Sequence, residues 1–135
     1  MLISFTLSLA GLLDTASVLD KISRLPPLAA IAAFTLAPVA EELLFRGLLL
    51  RSVSESLGRA AGGKLKRFAW LAAVFSTSLL FALFHLSYGS FAELAVAFSL
   101  GALFCISVKK SGSLIPAIIA HAIFNFASIA MMVLT

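Results

Sequence analysis

The chain has 135 residues, of which 61% are hydrophobic and 12% charged, and its mean hydropathy is +1.12. Soluble domains are about half apolar and a quarter charged, so this composition excludes a water-soluble globular domain and points to an all-α, polytopic transmembrane helix bundle. The net charge of +4 is not a nucleic-acid footprint, because the basic residues gather in short loops beside apolar runs, where they set topology.

At roughly 20 residues per span, this length holds four core spans, or five at most. The division is an N-terminal apolar segment, 1–25, followed by a core, 26–135. Residues 2–19 are apolar but carry Asp14, and they end at Asp20, Lys21 and Arg24. They read as a marginal fifth span or an interfacial amphipathic helix. The start lacks the basic flank of a signal peptide, so the expectation is that it is retained.

Pro26-Pro27 opens the first core helix, expected over 27–57, with proline well placed in a first turn. Pro38 lies inside that helix, cannot donate to the carbonyl of Phe34, and predicts a kink beside the residues that follow it. A solvated loop is expected over 58–67, with Gly62-Gly63 and the basic residues Arg59, Lys64, Lys66 and Arg67. A second helix over 68–86, a turn at Ser87-Tyr88-Gly89-Ser90, a third helix over 91–108 and a fourth over 114–133 complete the core. Lys109-Lys110-Ser-Gly-Ser separates the last two.

Helices alternate direction, so the loops at 58–67 and 109–113 share a side. That side is far richer in lysine and arginine than the one bearing Lys21 and Arg24, which makes it cytoplasmic. No internal repeat is visible, which argues against an inverted-repeat transporter. The single cysteine, Cys105, reads as packing and cannot form an internal disulfide. Gly47 and Gly101 read as close-packing positions, and Glu93 as interfacial.

Ionisable side chains inside an apolar span are costly, about 2.5–3.5 kcal/mol each on insertion scales, and they mark function by default. The core spans carry Glu41, Glu42 and Arg46 on the first helix, His85 on the second, and His121 with Asn125 on the fourth. Glu42 and Arg46 are four apart with the acid first, the favoured order for an ion pair. Glu41 lies about 100° around the helix from Glu42, so it must face another helix, which makes it the candidate base. His121 and Asn125 share a face of their helix and can donate together to a developing oxyanion. Phe81, one turn before His85, supplies an aromatic wall that excludes water.

Plainer readings stand beside these: a structural ion pair for Glu42 with Arg46, interhelical glue for Asn125, and an interfacial imidazole for His85. Depth is a further difficulty. Counted at about 1.5 Å per residue, Glu41 and His121 lie roughly 12–15 Å from the cytoplasmic helix ends, against roughly 25 Å for His85. Either the second helix is tilted or displaced, or His85 misses the site.

The segments Ala37-Pro-Val-Ala-Glu-Glu-Leu-Leu-Phe-Arg-Gly47, Phe81-Ala-Leu-Phe-His85 and His121-Ala-Ile-Phe-Asn125 resemble the EExxxR, FxxxH and HxxxN motifs of the CPBP intramembrane proteases. This family, also called Abi, takes in CAAX-processing and bacteriocin-processing endopeptidases. The resemblance covers about 36–127, with three motifs in order on separate spans. It implies peptide-bond hydrolysis in the membrane, with Glu41 and His85 activating water, His121 and Asn125 stabilising the oxyanion, and Glu42 with Arg46 organising the site.

Two mechanisms stay open: a glutamate base without metal, or a divalent metal such as zinc held by Glu41, His85 and His121. The implied substrate is a membrane-associated peptide or lipidated protein, in the plasma membrane of a prokaryote. The alternative is a non-catalytic bacteriocin immunity or scaffold protein. Family members have more spans ahead of the first motif, so the expectation is a near-minimal core: a fragment, a compact variant, or a chain that completes its bundle by forming a homo-oligomer.

Overall fold

The structure, a computed structural model, describes Arg24 and residues 26–61, 65–86 and 91–134. The described residues form helices and no strands. The N-terminal apolar segment, with its two readings as span or interfacial helix, lies outside the described residues apart from Arg24. The 87–90 turn and residues 62–64 also lie outside them.

The expected first helix is a single rod with two irregularities. It comprises α1 (Pro27–Phe34), α2 (Leu36–Glu42), a π-helical segment (Leu43–Leu50) and α3 (Arg51–Ala61). The break between α1 and α2 falls at Thr35, whose φ of −115° and ψ of −70° depart from the helical well. The Thr35 hydroxyl donates to the carbonyl of Ile31 at 2.7 Å. Pro38 explains the position of the break: its ring would strike the carbonyl of Phe34 in a continuous helix. Restarting at Leu36 puts Pro38 in a first turn, where no N–H is needed.

The rod runs past the expected end at 57, because Gly58 lies within α3 and Gly112 is the only glycine at positive φ among the described residues. The extension is solvated. Arg51 pairs with Glu55 at 2.9 Å, and Arg59 approaches the same carboxylate at 3.9 Å.

The other helices are α4 (Lys66–Phe84), α5 (Phe91–Ser111) and α6 (Ile115–Leu134). Glu93 sits in the first turn of α5, where a negative charge suits the helix dipole. Gly112, at φ +68°, ends α5 with its N–H donating to Val108 at 2.9 Å. The hydroxyl of Ser113 accepts from the N–H of Ile115 at 3.2 Å and so caps α6.

Pro27–Ala60, Lys66–Phe84 and Phe91–Ser111 are long and apolar enough to cross a membrane, and α6 is apolar over Ile115–Ala130. Large apolar side chains cover the outside, among them Leu28 (78% exposed) and Phe91 (90%), a pattern that lipid satisfies and water does not.

The most extensive pairing is α4 on α5; α3 packs on α4, and α6 packs on α1, α2 and α5. The π segment meets both α4 and α5. The interior has two apolar clusters. Phe45, Phe81, Ala82 and Ala97 form one, and Leu50, Ala73, Val74 and Cys105 the other. Cys105 is fully buried with its sulfur 3.8 Å from the Thr77 hydroxyl, in agreement with a packing role.

Candidate active site

Glu41 and Glu42 end α2, and Arg46 lies one turn on, inside the π segment. Glu42 and Arg46 are almost wholly enclosed and form an ion pair at 2.8 Å between Nη1 and Oε1. The π turn, a form frequent at functional sites, buries the neighbours Phe45 and Arg46 together. A second guanidinium nitrogen, Nη2, donates to the carbonyl of Gly101 on α5 at 3.1 Å.

Three aromatic rings surround the cation: Phe81 at 4.4 Å, Phe104 at 5.2 Å and Phe45 at 5.8 Å from its central carbon. Charge, hydrogen bonds and ring faces together replace the hydration that burial removes. The solvation is incomplete, since Glu42 Oε2 and Arg46 Nε are buried without a hydrogen-bond partner.

His121 reaches this pair from α6. Its Nδ1 lies 2.9 Å from Glu42 Oε1, the same oxygen that Arg46 holds. A carboxylate paired with arginine accepts, so Nδ1 donates. Nε2 lies 3.8 Å from Glu41 Oε2, too far for a hydrogen bond.

The two glutamates therefore differ in kind: the Glu42 side chain is 0% exposed and that of Glu41 is 33%. The Oε2 atom of Glu41 is buried and has no hydrogen-bond partner. Phe104 stacks on the His121 ring at 5.3 Å with a 26° interplanar angle, and Phe81 meets it edge-on at 5.6 Å.

His85 caps the C-terminal end of α4. Its Nδ1 lies 2.8 Å from the carbonyl of Phe81, which can only accept, so Nδ1 carries a proton and donates. The His85 ring is 4.8 Å from the Phe81 ring. Phe81 thus touches Arg46, His121 and His85, and both imidazoles lie against one aromatic residue. Phe81, one turn before His85, is the residue of α4 whose ring meets His121.

Asn125 is placed differently. Its Nδ2 donates to the carbonyl of Ala33 on α1 at 3.1 Å, and Phe126 packs edge-on against Phe34 at 5.4 Å. The sequence pairs Asn125 with His121 on one helix face, but the structure gives the two side chains different partners.

Gly101, Phe104 and Ala33 were not singled out as site residues by their types. One phenylalanine among twelve carries no signal, although Phe104 follows Gly101 by three and so shares its helix face. Among the described residues, no three His, Cys, Asp or Glu side chains converge into a metal-holding group.

A family model described as type II CAAX prenyl endopeptidase Rce1-like matches residues 23–127 of the chain. No curated protein and no solved structure matches.

Proposed function

From the premise that this chain belongs to the type II CAAX prenyl endopeptidase Rce1-like family, we propose that it hydrolyses a peptide bond in a lipidated, CAAX-type protein, with Glu41 as the base that activates water. The family makes it an integral membrane protein of the CAAX endopeptidase kind. The roles of individual residues and the substrate are our reading.

One observation carries that reading: a buried Glu41 oxygen with no hydrogen-bond partner stands 3.8 Å from the Nε2 of a histidine whose other nitrogen is fixed. A polar contact of that length between two acceptor-capable groups suits a shared water. Glu41 takes the proton as the water attacks the scissile carbonyl, and then delivers it to the leaving amine.

His121, in the imidazolium form it takes by gaining a proton from solvent before the attack, donates from Nε2 to the developing oxyanion, and Glu42 with Arg46 keeps the ring aimed. His85, whose ring lies against the same Phe81 as His121, assists in holding the water. Asn125 supplies a second oxyanion donor one turn along α6, and to do so its Nδ2 must leave the carbonyl of Ala33. The aromatic rings around Arg46 and His121 keep bulk water away from these charges, which strengthens them.

The test uses the purified chain in detergent with a fluorogenic farnesylated CAAX peptide. Wild type is expected to cleave it, and Glu41→Gln, His121→Ala and His85→Ala to lose cleavage while keeping the wild-type helical circular dichroism. Full activity in folded Glu41→Gln would remove Glu41 as the base. A folded wild type that cleaves no such peptide would leave the non-catalytic binding alternative.

A further inference from the structure

His121 owes its orientation to Glu42, and Glu42 is held by Arg46, so the question becomes what holds Arg46. Its Nη1 is committed to Glu42, and Nη2 donates across to the Gly101 carbonyl on α5. A helical carbonyl has a second lone pair for such a bond. At 3.1 Å the contact is near the long end of the useful range, so a small withdrawal of α5 weakens it sharply.

Gly101 also lies tightly against Ser78 of α4. A Cβ there would meet Ser78 Cβ at 3.1 Å, Cα at 3.2 Å and Oγ at 3.3 Å. Two of those atoms belong to the rigid part of Ser78, so α4 and α5 would have to separate by a few tenths of an ångström. Ser78 makes no compensating use of its hydroxyl, which is buried without a hydrogen-bond partner.

We infer that Gly101 is a positioning residue for the reaction, acting through Arg46: absence of a side chain seats α5 on Ser78, and the Gly101 carbonyl then fixes the guanidinium that fixes Glu42 and His121. The inference builds on the catalytic reading above, but the chain of contacts from Gly101 to His121 is measurable without any substrate.

The test compares Gly101→Ala, Arg46→Lys, the double variant, and Gly101→Ala with Ser78→Gly. Arg46→Lys keeps the charge but removes the second arm that reaches Gly101. Ser78→Gly removes two of the three clashing atoms without breaking a hydrogen bond. The first readout is imidazole ¹⁵N and ¹H NMR of histidine-labelled protein in detergent. Wild type should show a hydrogen-bonded Nδ1–H for His121. That signal should shift or broaden in Gly101→Ala and in Arg46→Lys, and return when Ser78→Gly is added to Gly101→Ala.

The second readout is cleavage of the farnesylated peptide. Gly101→Ala should lower kcat about tenfold or more with KM within about twofold, and the double variant should be no worse than Arg46→Lys alone. That non-additivity is the signature of a shared path. An unchanged His121 signal in folded Gly101→Ala, or losses that multiply in the double variant, would overturn the inference and leave Gly101 as packing. If Gly101→Ala does not fold, Arg46→Lys decides: an undisturbed His121 signal there also overturns it. A wild type inactive on the peptide counts against the proposed function only, since the NMR arm reads the contacts directly.

Discussion

At the residue scale, Glu41 and Glu42 are neighbours of the same chemical type whose surroundings separate them. Glu42 is the enclosed one. Its carboxylate satisfies Arg46 at 2.8 Å and His121 at 2.9 Å with a single oxygen. Removing one partner of a buried pair leaves the other charge uncompensated, which costs about 3–5 kcal/mol. Glu42→Ala is therefore expected to lower unfolding stability by about that amount in a detergent titration. Glu55→Ala, which breaks a half-exposed pair on α3, should stay within about 0.5 kcal/mol. Equal losses from the two variants would contradict the burial argument.

Asn125 gives a second contrast in magnitudes. As an interhelical donor to Ala33 alone, it would contribute about 0.6 kcal/mol, the average for such bonds in membranes. As an oxyanion donor its loss should lower turnover about 10²–10³-fold. Asn125→Ala is expected to show the large kinetic loss beside the small stability loss. A turnover loss under tenfold would assign it to the strap between α6 and α1. The Glu42–Arg46 pair was legible in the sequence because four-residue spacing sets a helix face. The Glu42–His121 contact was not, because it joins residues 79 apart through packing that spacing does not encode.

At the element scale, the long rod is bent where Pro38 forbids continuity and widened where Arg46 turns inward. The kink was legible, since a missing N–H and a ring clash follow from the residue itself. The π segment over Leu43–Leu50 was not: Gly47 weakens a helix but specifies no π register, and the buried Arg46 with its contacts on α4 and α5 depends on packing that the local sequence does not encode. Restoring the N–H at position 38 tests the link between break and site. Pro38→Ala allows α1 to run on into α2, which moves Ala33 away from Asn125 and swings the carboxylates on α2. The expected outcome is a helix that is no less stable, with a changed spin-label distance between positions 28 and 119 and reduced peptide cleavage. An unchanged distance with full cleavage would show that the break at Thr35 does not depend on Pro38 and does not shape the site.

At the scale of the whole molecule, the basic residues gather at one end of the bundle. Lys66 and Arg67 open α4, and Lys109 and Lys110 close α5. Lys109 Nζ sits 3.6 Å from the centre of the Trp70 ring, tying that end of α5 to the start of α4. By the positive-inside rule the excess of lysine and arginine predicts that this end faces the cytoplasm. Native Cys105 is buried and gives little background, so single cysteines report the orientation directly. Lys110→Cys in sealed right-side-out vesicles should react with a membrane-impermeant maleimide only after permeabilisation, and Leu86→Cys, at the opposite end of α4, without it. The reverse pattern would turn the bundle over.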